Sequence, residues 1–340
     1  MKRLIPFLMA AFLLSVSALK AQTNDFYDDA ETVKFKMPVV EVFGEIANPG
    51  NVNFETLPSR TVIVKETLLE NGKDKFIGAY RYDGYSLYDI LNLSILKKKN
   101  EAEFPPIIDL YVEIENNAGE KVVFSWGEIY YPIHQHEILI ATQVARIVPS
   151  KTKDLWPLPT DAKLVVASDL YTHRNISNPV KITVKSYSGK YEIVKGLSPM
   201  YSKSFSISEE GKQLAEISKL PKGLDVHTYP AVFYGRGRGI HGTTPFTGVM
   251  LKELLASYVK VNESSIKTGL FVIAGKDGYH GTYSFSEVMN RNDQAEFLVI
   301  PSEKNPDGGA FEIYPAADFF SDRAIRAVES IRILKVGGLE

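Results

Sequence analysis

An ordered series of segments occurs twice along this chain, and any fold it adopts has to accommodate both occurrences. In the first half, Tyr82-Asp83-Gly84-Tyr85-Ser86-Leu87-Tyr88-Asp89-Ile90-Leu91 leads into a predicted helix over 86–96, with Ser86 as its cap. In the second half, Phe246-Thr247-Gly248-Val249-Met250-Leu251-Lys252-Glu253-Leu254-Leu255 does the same. Each is followed by a strand, a turn and a second strand, at 110–124 and at 270–285. Ser125-Trp126-Gly127-Glu128-Ile129 comes next in one half and Ser286-Glu287-Val288 in the other, and each precedes an apolar strand, 136–141 or 295–300. Both halves close on a strand, a Ser/Asp-rich loop and a last strand (163–167 and 180–184; 310–314 and 328–334). Four such matches in one order predict two copies of one domain, at 37–186 and 187–340.

The two copies follow a leader. Lys2 and Arg3 precede an apolar run, residues 4–14, and small residues lead to a cleavage point after Ala21. The run is shorter than the ~20 residues a spanning helix needs, so residues 1–21 are expected to be a removed signal peptide, with no transmembrane anchor after cleavage. Residues 22–36, with Asp25, Asp28, Asp29 and Glu31, read as a flexible acidic stretch. The expected location is periplasmic or secreted. An exported protein without any cysteine has no disulfide framework and no thiolate to offer a metal. A net charge of −2 lacks the basic footprint that phosphate recognition demands, which argues against nucleic acid as a partner.

The opening segment at 44–57, the start of the first helix at 82–91 and the strand–turn–strand segments at 115–125 and 275–288 resemble the oxidoreductase molybdopterin-binding domain of the sulfite-oxidase type. The resemblance implies an α+β fold, here a tandem repeat of two such domains with mixed β-sheets and short helices. It also implies a pterin-linked molybdenum held by a cysteine thiolate after an early strand. The corresponding stretches, 61–66 and 231–238, contain no cysteine. Molybdopterin therefore lacks its protein ligand, and no cofactor is expected. Glu66 is the one oxygen donor placed to substitute, and its simpler reading is a solvated strand end.

Chemistry-bearing residues gather in a few places. Tyr234-Gly235-Arg236-Gly237-Arg238-Gly239-Ile240-His241-Gly242 alternates glycine with side chains suited to gripping a phosphate or carboxylate. Arg323, in the late loop with Asp318 and Asp322, is a further candidate for that anion site; an ion pair with Asp322 or Glu329 is its plainer role. His134 and His136 share a face if their segment is extended, and His173 could join them to hold zinc, copper or iron. His227 and His280 read as structural, and 97–99 as a solvated lysine run at a helix end. The expected function is a non-redox binding or interaction module of the envelope. Its ligand would be a small anionic or heteroaromatic molecule at Arg236, Arg238, His241 and Arg323, or its partner an envelope protein. The alternative is an oxidoreductase keeping a pterin-bound metal without cysteine, or using a histidine-bound metal.

Overall fold

The computed structural model describes residues 31–243, 245–302 and 309–337, so the expected signal peptide at 1–21 lies outside the described residues. The first-half strands are β1 (Val33–Lys34), β2 (Glu41–Gly44), β3 (Gly50–Asn51), β4 (Arg60–Glu70) and β5 (Lys73–Ser86). Helix α1 (Leu87–Leu91), β6 (Leu110–Asn116), β7 (Lys121–Ser125) and α2 (Trp126–Tyr130) follow. Then come β8 (Ile138–Arg146), β9 (Lys163–Val166) and β10 (Pro179–Ser186). The second half opens on β11 (Phe205–Glu209), β12 (Lys212–Ile217), β13 (Val226–Tyr229), β14 (Phe233–Gly235) and β15 (Gly239–Gly242). It continues with β16 (Phe246–Met250), α3 (Leu251–Leu255), α4 (Glu263–Thr268), β17 (Gly269–Gly275) and β18 (His280–Ser284). Last are α5 (Phe285–Met289), β19 (Phe297–Pro301), β20 (Phe311–Pro315) and β21 (Val328–Lys335).

This is a mostly β protein, 44% strand against 12% helix, with its sheets arranged like the blades of a four-bladed β-propeller. The expected α+β tandem of sulfite-oxidase-like domains is thereby overturned. The physical reason is helix length. Each helix spans only five or six residues, little more than one turn, and serves as a corner between strands rather than as a layer. The spacing of Leu87, Ile90 and Leu91 does bury one face of α1, but Ile95 is 64% exposed and the helix has stopped at Leu91. Ser86 caps it as expected, its side chain accepting from the Asp89 N–H.

What the helical spacing concealed is β5, a fourteen-residue strand. From Gly78 to Ser86 buried and half-buried positions alternate strictly, with Tyr80 and Tyr82 inward and Arg81 and Asp83 outward, the period of a strand with one covered face. One turn at 71–72, with both residues at positive φ, joins it to β4. The expected leader also yields a strand, since Val33 and Lys34 pair with Val144 and Gln143.

Each half holds two larger sheets, and the second half adds the two-stranded β14-β15. The order β3-β2-β10-β6-β7 has β2 parallel to β10 and antiparallel neighbours beyond; β12-β11-β21-β17-β18 has β11 parallel to β21 and the same sequence beyond. The remaining sheets run β4-β5-β8-β9 (with β1 on β8) and β13-β16-β19-β20. In each half the apolar core lies between its two sheets: Val112, Ile114 and Ile182 meet Ile140 and Leu164 in one, and Phe271, Ile273 and Ile331 meet Phe297 and Val299 in the other. A smaller cluster of Tyr111, Val123, Leu270 and Val336 joins the halves.

Gly84 and Gly248 hold the same place in these paired sheets, just before α1 and α3. A Cβ at Gly84 would lie 2.2 Å from the Ile140 carbonyl oxygen, and one at Gly248 would lie 2.3 Å from that of Val299. Backbone cannot yield as a side-chain tip can, so each position excludes every larger residue. Gly84→Ala and Gly248→Ala should each cost about 2–4 kcal/mol, read as a shift in denaturant midpoint, whereas Gly237→Ala, with open space around it, should change little.

Candidate functional site

Ser125-x-x-Glu128 and Ser284-x-x-Glu287 open α2 and α5 as capping boxes: each serine oxygen accepts from the glutamate N–H, and each glutamate accepts from the serine N–H. Both glutamates are thereby turned inward, where each meets an arginine. Arg174 donates to Asp169 from Nε (2.8 Å) and Nη2 (2.7 Å), and to Glu128 from Nη1 and Nη2 (3.1 Å each). Arg323 repeats this with Asp318 (2.7 and 2.8 Å) and Glu287 (3.0 and 3.2 Å). Each guanidinium then reaches across to the other half's capping serine at 3.3 Å, Arg174 to Ser284 and Arg323 to Ser125. Ser125 Oγ also donates to Glu287 at 2.5 Å. An aromatic ring faces each arginine, Phe124 at 4.3 Å and Tyr283 at 4.9 Å.

Two buried guanidiniums thus balance four carboxylates. The excess negative charge in a dry site favours protons. Glu128 is raised to about 7 and Asp318 to about 6, in both cases mainly by burial and further by neighbouring carboxylates, against the pull of the adjacent arginine. Arg323 is therefore no part of an exposed anion site; its side chain is 1% exposed and its partners are Asp318 and Glu287, not Asp322 or Glu329.

Three cavities among the described residues bear on the candidate sites, and the first touches this cluster. The first, about 140 Å³, has Glu128 in its wall with His134, His136, Arg291 and Asp293. The second, about 370 Å³, is bordered by Arg238, His241, Asp322 and Arg326, and the third, about 360 Å³, by Tyr88, Trp126, Tyr130, Tyr131, Phe320 and Arg236. The glycine-rich stretch is a short hairpin, β14 paired with β15, rather than an open loop; Gly239 takes φ +72° at its turn. It stands between the second and third cavities, so the expected anion-binding trio is divided: Arg236 faces one cavity, Arg238 and His241 the other.

The three histidines are not brought together: His134 and His136 border the first cavity, and His173 lies elsewhere. His136 has φ +68°, which breaks the extended run needed to align it with His134; its Nδ1 lies 2.9 Å from Ser86 Oγ. His173 is buried beside β4, with Nε2 accepting from the Leu69 N–H at 3.0 Å. Among the described residues no group of three or more His, Cys, Asp or Glu side chains is placed to hold a metal.

Glu66 does not fit the part of a substitute molybdenum ligand. It is buried, not solvated, and Lys163 Nζ (2.7 and 2.8 Å), Tyr82 OH (3.0 Å) and Asn175 Nδ2 (3.1 Å) already occupy its oxygens. Lys98 departs from expectation in the same way: it is buried and paired with Asp109 at 2.8 Å. His280 is buried with Nδ1 at 2.8 Å from the Gly278 carbonyl, and His227 lies 4.0 Å from Glu253.

The central cluster was absent from the sequence reading, although its signature is there: Ser-x-x-Glu and Asp-x-x-x-x-Arg occur in each half, at Ser125/Asp169 and at Ser284/Asp318. The structure also matches Ser125 with Ser284 rather than with Ser286. Comparison with protein-family models finds no match to this chain, and comparison with curated proteins finds none either.

Glu128 and Asp318 bind protons more tightly folded than unfolded. Their contribution is present in full below the ordinary carboxylate range and is lost as pH rises through about 6 to 7. His136, His173 and His280, lowered by burial, act in the opposite direction over the same range, so the test is a difference: between pH 5 and pH 8 the thermal midpoint of wild type should fall relative to that of Glu128→Gln. An unchanged slope in the variant would refute the assignment.

Proposed function

We propose that this is an exported binding module of the cell envelope, built by internal duplication, whose ligand is a small planar anion. The duplication is supported by the matched strand pairings, by Gly84 and Gly248, and by the two arginine–carboxylate sets. Export rests on the basic and apolar pattern of residues 2–21. Among the described residues no helix is long and apolar enough to cross a membrane.

The observation that carries the ligand assignment is Arg236. Among the described residues its exposed guanidinium has neither ion pair nor hydrogen bond, and it borders a cavity to which Tyr88, Trp126, Tyr130, Tyr131 and Phe320 contribute rings beside aliphatic and amide side chains. Tyr130 stacks on Trp126 at 4.5 Å and meets Tyr88 at 5.1 Å, which fixes these rings as a wall. Stacking surface beside a free, planar, always-charged donor suits a heteroaromatic or aryl group carrying a carboxylate or phosphate. Binding is favoured over catalysis because the arginines and carboxylates of the central cluster satisfy one another, while Arg236 and Arg238 stand exposed and unpartnered on the hairpin.

Calorimetric titration with phenyl phosphate tests this. Wild type should bind, Arg236→Ala should weaken binding by about tenfold or more, and Arg238→Ala should leave it unchanged. Absence of binding at millimolar phenyl phosphate, or equal loss in both variants, would overturn the reading.

A further inference from the structure

The hairpin of β14 and β15 pairs with no other strand among the described residues, and it turns apolar side chains outward. Phe233 roots it, its ring 5.4 Å from Phe246, 5.6 Å from His241 and 6.2 Å from Tyr314. Tyr234 and Ile240 are direct cross-strand partners, so their side chains share a face. The Tyr234 ring continues that face to Phe319 at 5.6 Å, and Phe319 meets Phe320 at 4.9 Å. Ile240 is 61% exposed, Phe319 51% and Val232, just before β14, 63%; Tyr234 is exposed as well. Single exposed apolar side chains are ordinary, but here they adjoin one another on a detached element.

The charges at the tip are all of one sign. Arg236-Gly237-Arg238 forms the turn, since Gly235 pairs with Gly239, and the sequence has no acidic residue between Asp225 and Glu253. Both guanidiniums are exposed, and neither has an ion pair or hydrogen bond among the described residues. Asp277 and Asp322 border the second cavity with Arg238, but they belong to the body of the second half, where the exposed Arg326 also stands. Asp277 Oδ1 accepts from the Tyr279 N–H, and no ion pair joins either carboxylate to the tip.

We infer that this hairpin docks on the surface of a bilayer carrying anionic lipid. Val232, Tyr234, Ile240 and Phe319 enter the boundary between headgroups and acyl chains, and Arg236 and Arg238 meet lipid phosphates. The extent of the surface decides between a bilayer and a protein. A stable protein interface takes about 800 Å² and about 20–30 residues from each partner, far more than four side chains and two cations supply. An interfacial anchor needs only a few apolar side chains beside cations, each of which is attracted to a negative leaflet.

Co-sedimentation with vesicles tests the assignment, using the chain from Gln22 onward so that the apolar run at 4–14 contributes nothing. The two probes are phosphatidylcholine alone and phosphatidylcholine mixed in equal parts with phosphatidylglycerol. Wild type should bind the mixed vesicles at least about tenfold more tightly, and added salt should weaken that binding. Val232→Ser/Ile240→Ser should reduce it about tenfold and Arg238→Gln about fivefold. The serine variant should keep the thermal midpoint and the phenyl phosphate affinity of wild type, so a failure of the small-ligand reading leaves this result standing. Ile240→Trp, which keeps the face apolar, should show a blue shift in emission on mixed vesicles that wild type lacks. The assignment fails if wild type binds neither vesicle or both equally, or if the serine variant binds as wild type does. It fails equally if wild type is a dimer that the serine substitutions disperse, since a second copy would then cover the face.

Discussion

Arg174 and Arg323 stand where the two halves meet, and each can be buried only because two carboxylates of its own half and a serine of the other surround it. Replacing such a cluster by well-packed apolar residues is often neutral or stabilising, so its presence says little about net stability. Its consequence is geometric. An apolar seam can be satisfied in many registers, whereas these donors and acceptors are satisfied in one. Removing a single partner leaves a charge buried without compensation, which in comparable settings costs about 3–5 kcal/mol. Gly127 belongs to the same constraint, because a Cβ there would lie 2.1 Å from Arg323 Nη1.

The cluster also determines where the candidate sites lie. The loop that delivers Arg174 also presents Thr172 and His173, which bond to Thr67 and Leu69 of β4. The loop that delivers Arg323 also presents Phe319, Phe320 and Ser321, which meet Tyr234 and Gly235 of the glycine-rich hairpin. In both halves, then, one short loop ties the central charges to an outlying hairpin. Moving Arg323 would move the hairpin that borders the second and third cavities.

Much of the β-structure was legible in the sequence, because hairpin turns and apolar runs are local signals. The strands beginning at Leu110, Lys121, Lys163 and Pro179 lie within a few residues of where turn residues and β-branched side chains place them. The long strand β5 was hidden because it runs without a break into Ser86 and Leu87, where helical spacing begins, and because its inward residues are tyrosines rather than aliphatics. Glu66 and Lys98 were misread for another reason: a charge is normally solvated, and only tertiary partners at Lys163 and Asp109 reverse that. The cluster itself depends on residues up to 198 positions apart, as in Arg323 and Ser125, and no spacing rule along the chain brings these together.

The two halves differ at their hairpins, and this difference shapes the second and third cavities. In the first half β4 and β5 pair from Arg60–Gly84 to Glu70–Lys73 with a single irregularity after Glu66, as one continuous ribbon. In the second half the equivalent ribbon carries Pro230, Gly235, Gly237, Gly239 and Pro245. Proline removes a ladder donor and glycine weakens a strand interior, so the pairing splits into β13 with β16 and a separate β14 with β15. The detached piece projects Arg236 to one side and Arg238 and His241 to the other. A scaffold held rigid at its centre can tolerate such a break at its edge, and the break sets Arg236 and Arg238 beside recesses, whereas the exposed charges of the first-half ribbon, such as Lys65 and Lys73, border none of the three cavities.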